Sequence, residues 1–279
     1  MRWRARGYAM DKRPIGVFDS GMGGLTAVRQ LQVMLPGEDI VYFGDTGRVP
    51  YGTRSPETIR QYAEQDIRFL LSQDAKFLLA ACGTVSSTLP KSYTEALPVP
   101  YVGVVGAAVA AAAAATKNGR IGVIATPASI RSRSYETRIR DILPDAEIFT
   151  RSCPMFVPLV ENGYVGPNDP ITTAIAHEYL DEIRAKGVDT LILGCTHYPL
   201  IAHIIAQVMG PDVTLIDSGR EAALKTRDML TRMNLLSDAG QGTTRYFMSD
   251  SPESFSSAVR LFIGPQGEGT ASQIAIEQY

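Results

Sequence analysis

Only three cysteines, Cys82, Cys153 and Cys195, occur among 279 residues. The count is odd and too low for a disulfide framework, and no secretory leader opens the chain, so a reducing, cytoplasmic setting is expected. No uninterrupted apolar run is long enough to span a bilayer. The best candidate, residues 99–115, is mostly alanine and ends at Thr116-Lys117-Asn118-Gly119-Arg120. Neither sign of charge dominates: 27 Lys and Arg face 29 Asp and Glu. That balance gives no reason to expect a nucleic-acid or membrane partner. No cysteine pair has zinc-ligand spacing, and His177 and His203 fall in predicted helices, so no metal site is expected. Mid-chain there is no low-complexity linker. A hydrophobic fraction of 45% with 20% charged residues excludes a disordered or fibrous chain.

What is present is an alternation of apolar strands and amphipathic helices. The strand candidates are 15–18, 40–43, 77–81, 101–105, 121–125, 189–193 and 213–216. Most are apolar throughout, as parallel strands covered on both faces must be. Residues 56–73 bring Ile59, Tyr62, Ala63, Ile67, Leu70 and Leu71 to one helical face, with Ser55 as N-cap and Pro56 in the first turn. Helices are also expected over 24–35, 171–186 and 219–235, and over the alanine run 107–115. This rhythm predicts an α/β fold with mainly parallel sheets. The length allows about two domains at roughly 150 residues each. Residues 1–13, Arg-rich with no apolar stretch behind them, are expected to be a disordered extension, and Met10 offers an alternative start.

One pattern occurs twice. Phe77 to Ala81 is an apolar strand followed by Cys82-Gly83-Thr84; Leu191 to Leu193 leads through Gly194 to Cys195-Thr196-His197. Two half-units would each present a cysteine at the carboxyl end of a strand, where open α/β sheets bind ligands. Each cysteine is also expected at a helix start, which lowers a thiol's pKa. Cys153 lacks such company and reads as structural. The turn Asp19-Ser20-Gly21-Met22-Gly23-Gly24 lacks the third glycine of a dinucleotide fingerprint, since Thr26 stands there. Its N–H groups could hold an anion, or Asp19 or Ser20 could simply cap the next helix. A hydrolase with Cys195 as nucleophile and His197 or His177 as base would leave Cys82 unused. Moving a proton from one face of a chiral Cα to the other uses both thiols, one as base and one as acid.

Four motifs in order, Gly16-Val17-Phe18-Asp19-Ser20-Gly21, residues 44–52, residues 153–161 and Gly194-Cys195-Thr196-His197-Tyr198-Pro199, carry a family resemblance. The chain resembles the glutamate racemases, cofactor-independent enzymes of the aspartate/glutamate racemase superfamily. The resemblance runs from about Pro14 to at least Gly264. It implies two pseudo-symmetric domains, each a mainly parallel sheet flanked by helices, with the active site in the cleft between them. The first would comprise 14–103 plus 217–279, the second 104–216. It also implies that Cys82 handles the proton of D-glutamate and Cys195 that of L-glutamate, assisted by Asp19, His197 and Glu161. Substrate contacts are expected from Asp19, Ser20, Pro50, Tyr51, Gly52, Gly83, Thr84, Thr126, Ser129, Thr196 and His197. No cofactor is implied, a homodimer is expected, and the family role is D-glutamate supply for peptidoglycan.

Two positions depart from the family pattern. Gly83 stands where an asparagine is usual, and Ser129 where threonine is common. Loss of the amide leaves open an aspartate or other small-carboxylate racemase, or a non-catalytic carboxylate-binding module, although binding alone has no need of paired thiols. The same vacancy leads to the expectation that Gly83→Asn keeps the fold and tightens glutamate binding, unless a side chain there clashes.

Overall fold

The computed structural model describes residues 11–264 and 269–279. Among them are ten strands: β1 (Ile15–Asp19), β2 (Ile40–Gly44), β3 (Phe77–Ala80), β4 (Tyr101–Gly103), β5 (Arg120–Ala125), β6 (Glu147–Ser152), β7 (Thr190–Leu193), β8 (Thr214–Asp217), β9 (Thr244–Met248) and β10 (Ala271–Gln273). They form two sheets, ordered β10-β9-β2-β1-β3-β4 and β6-β5-β7-β8. Every pairing is parallel. The first four strands of the chain and the next four thus adopt the same order, second-first-third-fourth. β3 and β7, the strands that lead into Cys82 and Cys195, hold the same place in the two halves.

The apolar runs follow from covering both faces of each sheet. Ile15, Val17, Phe77 and Leu79 point into one core, which continues into Leu191 and Leu193 of the second sheet. Phe18, Leu78 and Ala80 point into a second core under the helix Pro56–Ser72. Ile121, Val123 and Ile192 face a third core, under the alanine-rich helix Val104–Ala115. Alanine lets that helix sit close to its sheet and also pack against the helix Ser218–Met233.

Helix starts follow the capping chemistry. Ser55 Oγ accepts from Thr58 N–H at 3.2 Å, Asp169 Oδ1 from Thr172 N–H at 2.8 Å and Asp217 Oδ1 from Gly219 N–H at 2.9 Å. One boundary moves. The strand expected over 101–105 ends at Gly103, and Val104 and Val105 open the helix instead. Ser86 Oγ accepts the otherwise free Val105 N–H at 3.1 Å, which lets the helix begin there. The expected strands do not include β6, β9 and β10: β6 and β10 are half-exposed edge strands with no clear apolar pattern, and β9 is short, with only Tyr246 and Met248 buried.

Of the extension expected over 1–13, residues 1–10 lie outside the described residues. Asp11 to Arg13 are tied down: Lys76 Nζ donates to the Asp11 carbonyl, and Arg13 Nη2 meets Asp11 Oδ2 at 2.6 Å. No described helix is long and apolar enough to cross a membrane.

Candidate active site

In each half the strand order reverses between the first and third strands, the place where parallel sheets open a crevice at their carboxyl ends. Phe18 pairs with Ala80, and Ile124 with Leu193. Two residues beyond each pair stand Ser20 and Cys82 in the first half, and Thr126 and Cys195 in the second. Both switch points open into one cavity of about 440 Å3. The cavity is lined by Ser20, Pro50, Tyr51, Gly52, Cys82, Gly83, Thr84, Thr126, Glu161, Cys195, Thr196 and His197.

Two expected contact residues lie behind this wall. Ser129 is buried and reaches the cavity only through Thr126, whose hydroxyl donates to Ser129 Oγ at 3.1 Å. Thr126 Oγ1 also lies 3.1 Å from Thr84 Oγ1, a hydroxyl link between the two halves. Asp19 is likewise buried. Its Oδ2 accepts from Gly24 N–H at 2.9 Å and Gly21 N–H at 3.3 Å. The N–H groups of the glycine turn are therefore taken by the protein's own carboxylate rather than by an external anion. Burial raises the Asp19 pKa, against the opposing effect of those hydrogen bonds and of His197. Gly23 is required by close approach: a Cβ there would meet the His197 ring at 2.5 Å and Thr196 Oγ1 at 2.3 Å.

The two thiols sit in different environments. Cys82 Sγ donates to Ser20 Oγ at 3.3 Å. Burial, and then the Asp19 charge, push its pKa up to about 12. That reverses the expected lowering: the helix Gly83–Thr88 does begin at Cys82, but it is short and desolvation outweighs its N-terminal field. Cys195 does not begin a helix. It leads into a turn and then the short 3-10 segment Tyr198–Ile201. Its partner is His197, whose Nδ1 lies 3.7 Å from Cys195 Sγ and whose Nε2 lies 3.0 Å from Glu161 Oε1. Burial disfavours a charged ring, but the hydrogen bonds and charge interactions with Cys195 and Glu161 prevail and raise His197 to about 10. A cation therefore stands beside the Cys195 sulfur at neutral pH.

The remaining candidates separate cleanly. His177 is exposed on the helix Pro170–Ala185, 3.1 Å from Asp181, and is no base for Cys195. Cys153 is fully buried outside the cavity, consistent with a structural thiol. The Tyr51 hydroxyl donates to Asp45, away from the cavity. Sequence reasoning missed the apolar wall of Pro154, Val157 and Pro158, although it lies in the segment that supplied Glu161. It also missed Phe262, which packs edge-on to His197 with ring centres 5.3 Å apart. Nothing in the spacing places a residue so far along the chain on that ring.

Residues 25–226 match the family described as Asp/Glu/Hydantoin racemase. The chain is 42% identical over 269 residues to a glutamate racemase of Geobacter metallireducens, covering 96% of this chain and 98% of the relative. Its structure matches the crystal structure of Francisella tularensis glutamate racemase in complex with D-glutamate with a TM-score of 0.89, at 38% identity, over 97% of this chain and 100% of the other. Glutamate racemase from Thermus thermophilus in complex with β-chloro-D-alanine matches with a TM-score of 0.87 at 36% identity, over the same shares of the two chains. An aspartate racemase of Picrophilus torridus, 18% identical with a TM-score of 0.57 over 80% of this chain and all of that one, shares the fold alone.

Proposed function

The chain belongs to the Asp/Glu/hydantoin racemase family and racemises glutamate, and we propose that it does so with two thiols and no cofactor. The observation that carries this reading is the single cavity with Cys82 and Cys195 at its two equivalent switch points, each with its own polar partners. For L-glutamate, Cys195 takes the Cα proton beside the cationic His197. Cys82, held as a thiol by its raised pKa, returns a proton to the opposite face. The D-to-L reaction exchanges these roles. Each turnover moves one proton from substrate to one sulfur and one from the other sulfur to product.

The hydroxyls of Ser20, Thr84, Thr126 and Thr196, with the backbone of Pro50 to Gly52 and Gly83, hold the two carboxylates and the ammonium group. Ser129 supports them through Thr126, and Asp19 acts on Cys82 through its charge. The first half, 14–103 plus 217–279, and the second, 104–216, act as the two jaws of the cleft. The physiological setting is a cytoplasmic homodimer without nucleic-acid or membrane partners, supplying D-glutamate for peptidoglycan. Glutamate is favoured over aspartate because the glutamate racemases are 41–44% identical across nearly the whole chain, whereas the aspartate racemase likeness is one of fold.

Circular dichroism of L-glutamate incubated with the purified protein tests the cofactor reading. The signal should decay to zero in the presence of EDTA and hydroxylamine. Iodoacetamide should stop the decay, and glutamate should protect. Loss of activity to chelator or carbonyl reagent alone overturns the cofactor-free chemistry.

His197 gives a one-sided expectation. His197→Asn removes the cation beside Cys195 and should slow the L-to-D direction on the order of tenfold or more, the scale of a lost charge-assisted hydrogen bond. The D-to-L kcat should suffer less, with KM shifting so that kcat/KM stays equal in the two directions, as an equilibrium constant of one requires. In the unsubstituted enzyme kcat/KM should fall in both directions as pH rises through about 10, where the imidazolium loses its proton, and the variant should lack that fall. Equal losses of kcat in both directions would make His197 a binding or folding residue.

A further inference from the structure

Behind the cavity wall lies a buried cluster of charges that the proton transfers do not use. Asp45 and Asp66 are fully buried, and Arg48 nearly so. Arg48 Nε donates to Asp45 Oδ2 at 2.6 Å and Nη2 to Asp66 Oδ1 at 3.2 Å. Its Nη1 donates to Gln65 Oε1, and its guanidinium lies 4.1 Å from the centre of the Tyr62 ring. The Tyr51 hydroxyl donates to the same Asp45 and lies 3.4 Å from Asp66 Oδ2. Burial and the neighbouring Asp45 push the Asp66 carboxyl well above the usual range, against the pull of Arg48. In the cluster Arg48 thus bridges Asp45 and Asp66, and the Tyr51 phenol joins them. Through Arg48, just before it, and Tyr51, within it, the cluster holds one short stretch of chain.

That stretch is Val49 to Thr53, which leaves the cluster and forms one side of the cavity. Its far end reaches the other half of the molecule. The Gly52 carbonyl lies 3.4 Å from Arg131 Nη2, and a Cβ on Gly52 would stand 3.5 Å from Thr126. A third fastening comes from the end of β9. Ser249, just after β9, donates through Oγ to Asp45 Oδ1 at 2.7 Å and accepts the Gly47 N–H at 2.9 Å.

We infer that Asp45, Arg48 and Asp66 are positioning residues for substrate: they hold Val49–Thr53 as a clasp from the first sheet to the Thr126 turn of the second, and Ser249 makes the clasp depend on β9. The inference rests on the reading of this cavity as the racemase site. Each fastening is a hydrogen bond to a residue that never touches the thiols, so loosening one degrades binding before chemistry.

The test measures KM and kcat for L- and D-glutamate, with the urea midpoint of the same proteins. Ser249→Ala and Tyr51→Phe should each raise KM for both enantiomers by a common factor of about five to ten, the cost of one net hydrogen bond. Their kcat should change far less. Asp66→Leu should raise KM similarly, and the neutral isostere Asp66→Asn should restore it. A lowered urea midpoint with unchanged KM in Ser249→Ala and Tyr51→Phe would make the cluster purely structural and overturn the inference. So would a loss confined to kcat, or an Asp66→Asn variant as impaired as Asp66→Leu. Failure of the racemase reading itself would appear separately, as an unsubstituted protein that leaves L-glutamate optically active.

Discussion

Cys82→Ala and Cys195→Ala should each lower racemisation in both directions on the order of 10³-fold or more, within the range that one positioned acid or base contributes. Both directions suffer in both variants because every turnover uses one sulfur as base and the other as acid. The two sites cannot substitute for each other. Cys82 ends β3 of the first sheet beside Ser20, while Cys195 follows β7 of the second beside His197. The pKa of about 12 at Cys82 sharpens the expectation. Burial makes its thiolate scarce but strongly basic once formed, which suits a weak carbon acid better than an exposed thiolate would. In D2O the unsubstituted enzyme should place deuterium at Cα of the product enantiomer as it forms. Product that retains the substrate's own proton would indicate a single base. Full activity in either alanine variant would remove that cysteine from the mechanism.

Much of this arrangement is legible in the chain because the two halves repeat. An apolar strand ending in a cysteine and a threonine recurs, and the structure answers with two sheets of the same strand order and the two thiols at equivalent ends. Capping residues are equally plain, since Ser55 acts within one turn of its own helix. What escapes is long-range or electrostatic. Phe262 reaches His197 from the C-terminal helix, and no local spacing encodes that contact. β6 is a strand through its neighbour β5 and not through its own alternation. The direction of the Cys82 shift is also hidden. A helix N-terminus lowers a thiol's pKa and desolvation raises it, and the sequence places Cys82 at a helix start without telling how deeply it is buried. Asp19 shows the same limit: the glycine turn leaves open an external anion or a bond from Asp19 itself, and only the fold shows that Asp19's carboxylate takes those N–H groups.

Gly83→Asn should lose kcat/KM by roughly 10²-fold in both directions, the scale at which a displacement near 1 Å disturbs a catalytic constellation. Read from sequence, the substitution restores a missing amide and tightens binding; the structure reverses that expectation. A Cβ on Gly83 would stand 2.4 Å from the carbonyl oxygen of Gly194. Gly194 is held in place: its N–H is bonded to the Ile124 carbonyl at 2.7 Å, and its own carbonyl accepts the Tyr135 hydroxyl at 3.4 Å. The obstacle is backbone on backbone, so no rotamer relieves it. Gly83 follows Cys82 directly and Gly194 directly precedes Cys195, so any side chain at 83 forces the two thiols apart. Overpacking of this kind costs about 1–3 kcal/mol, which for a chain of this size lowers the thermal midpoint by several degrees. Gly83→Ala separates the steric effect from the amide: it adds the Cβ and no hydrogen bond, and should lose nearly as much as Gly83→Asn. An asparagine variant with an unchanged midpoint and a lower KM for glutamate, beside an impaired alanine variant, would show that the halves yield and that the amide finds the substrate. With a Cβ that close to a carbonyl whose own residue is pinned by hydrogen bonds at both its N–H and its oxygen, the expected result is loss in both variants.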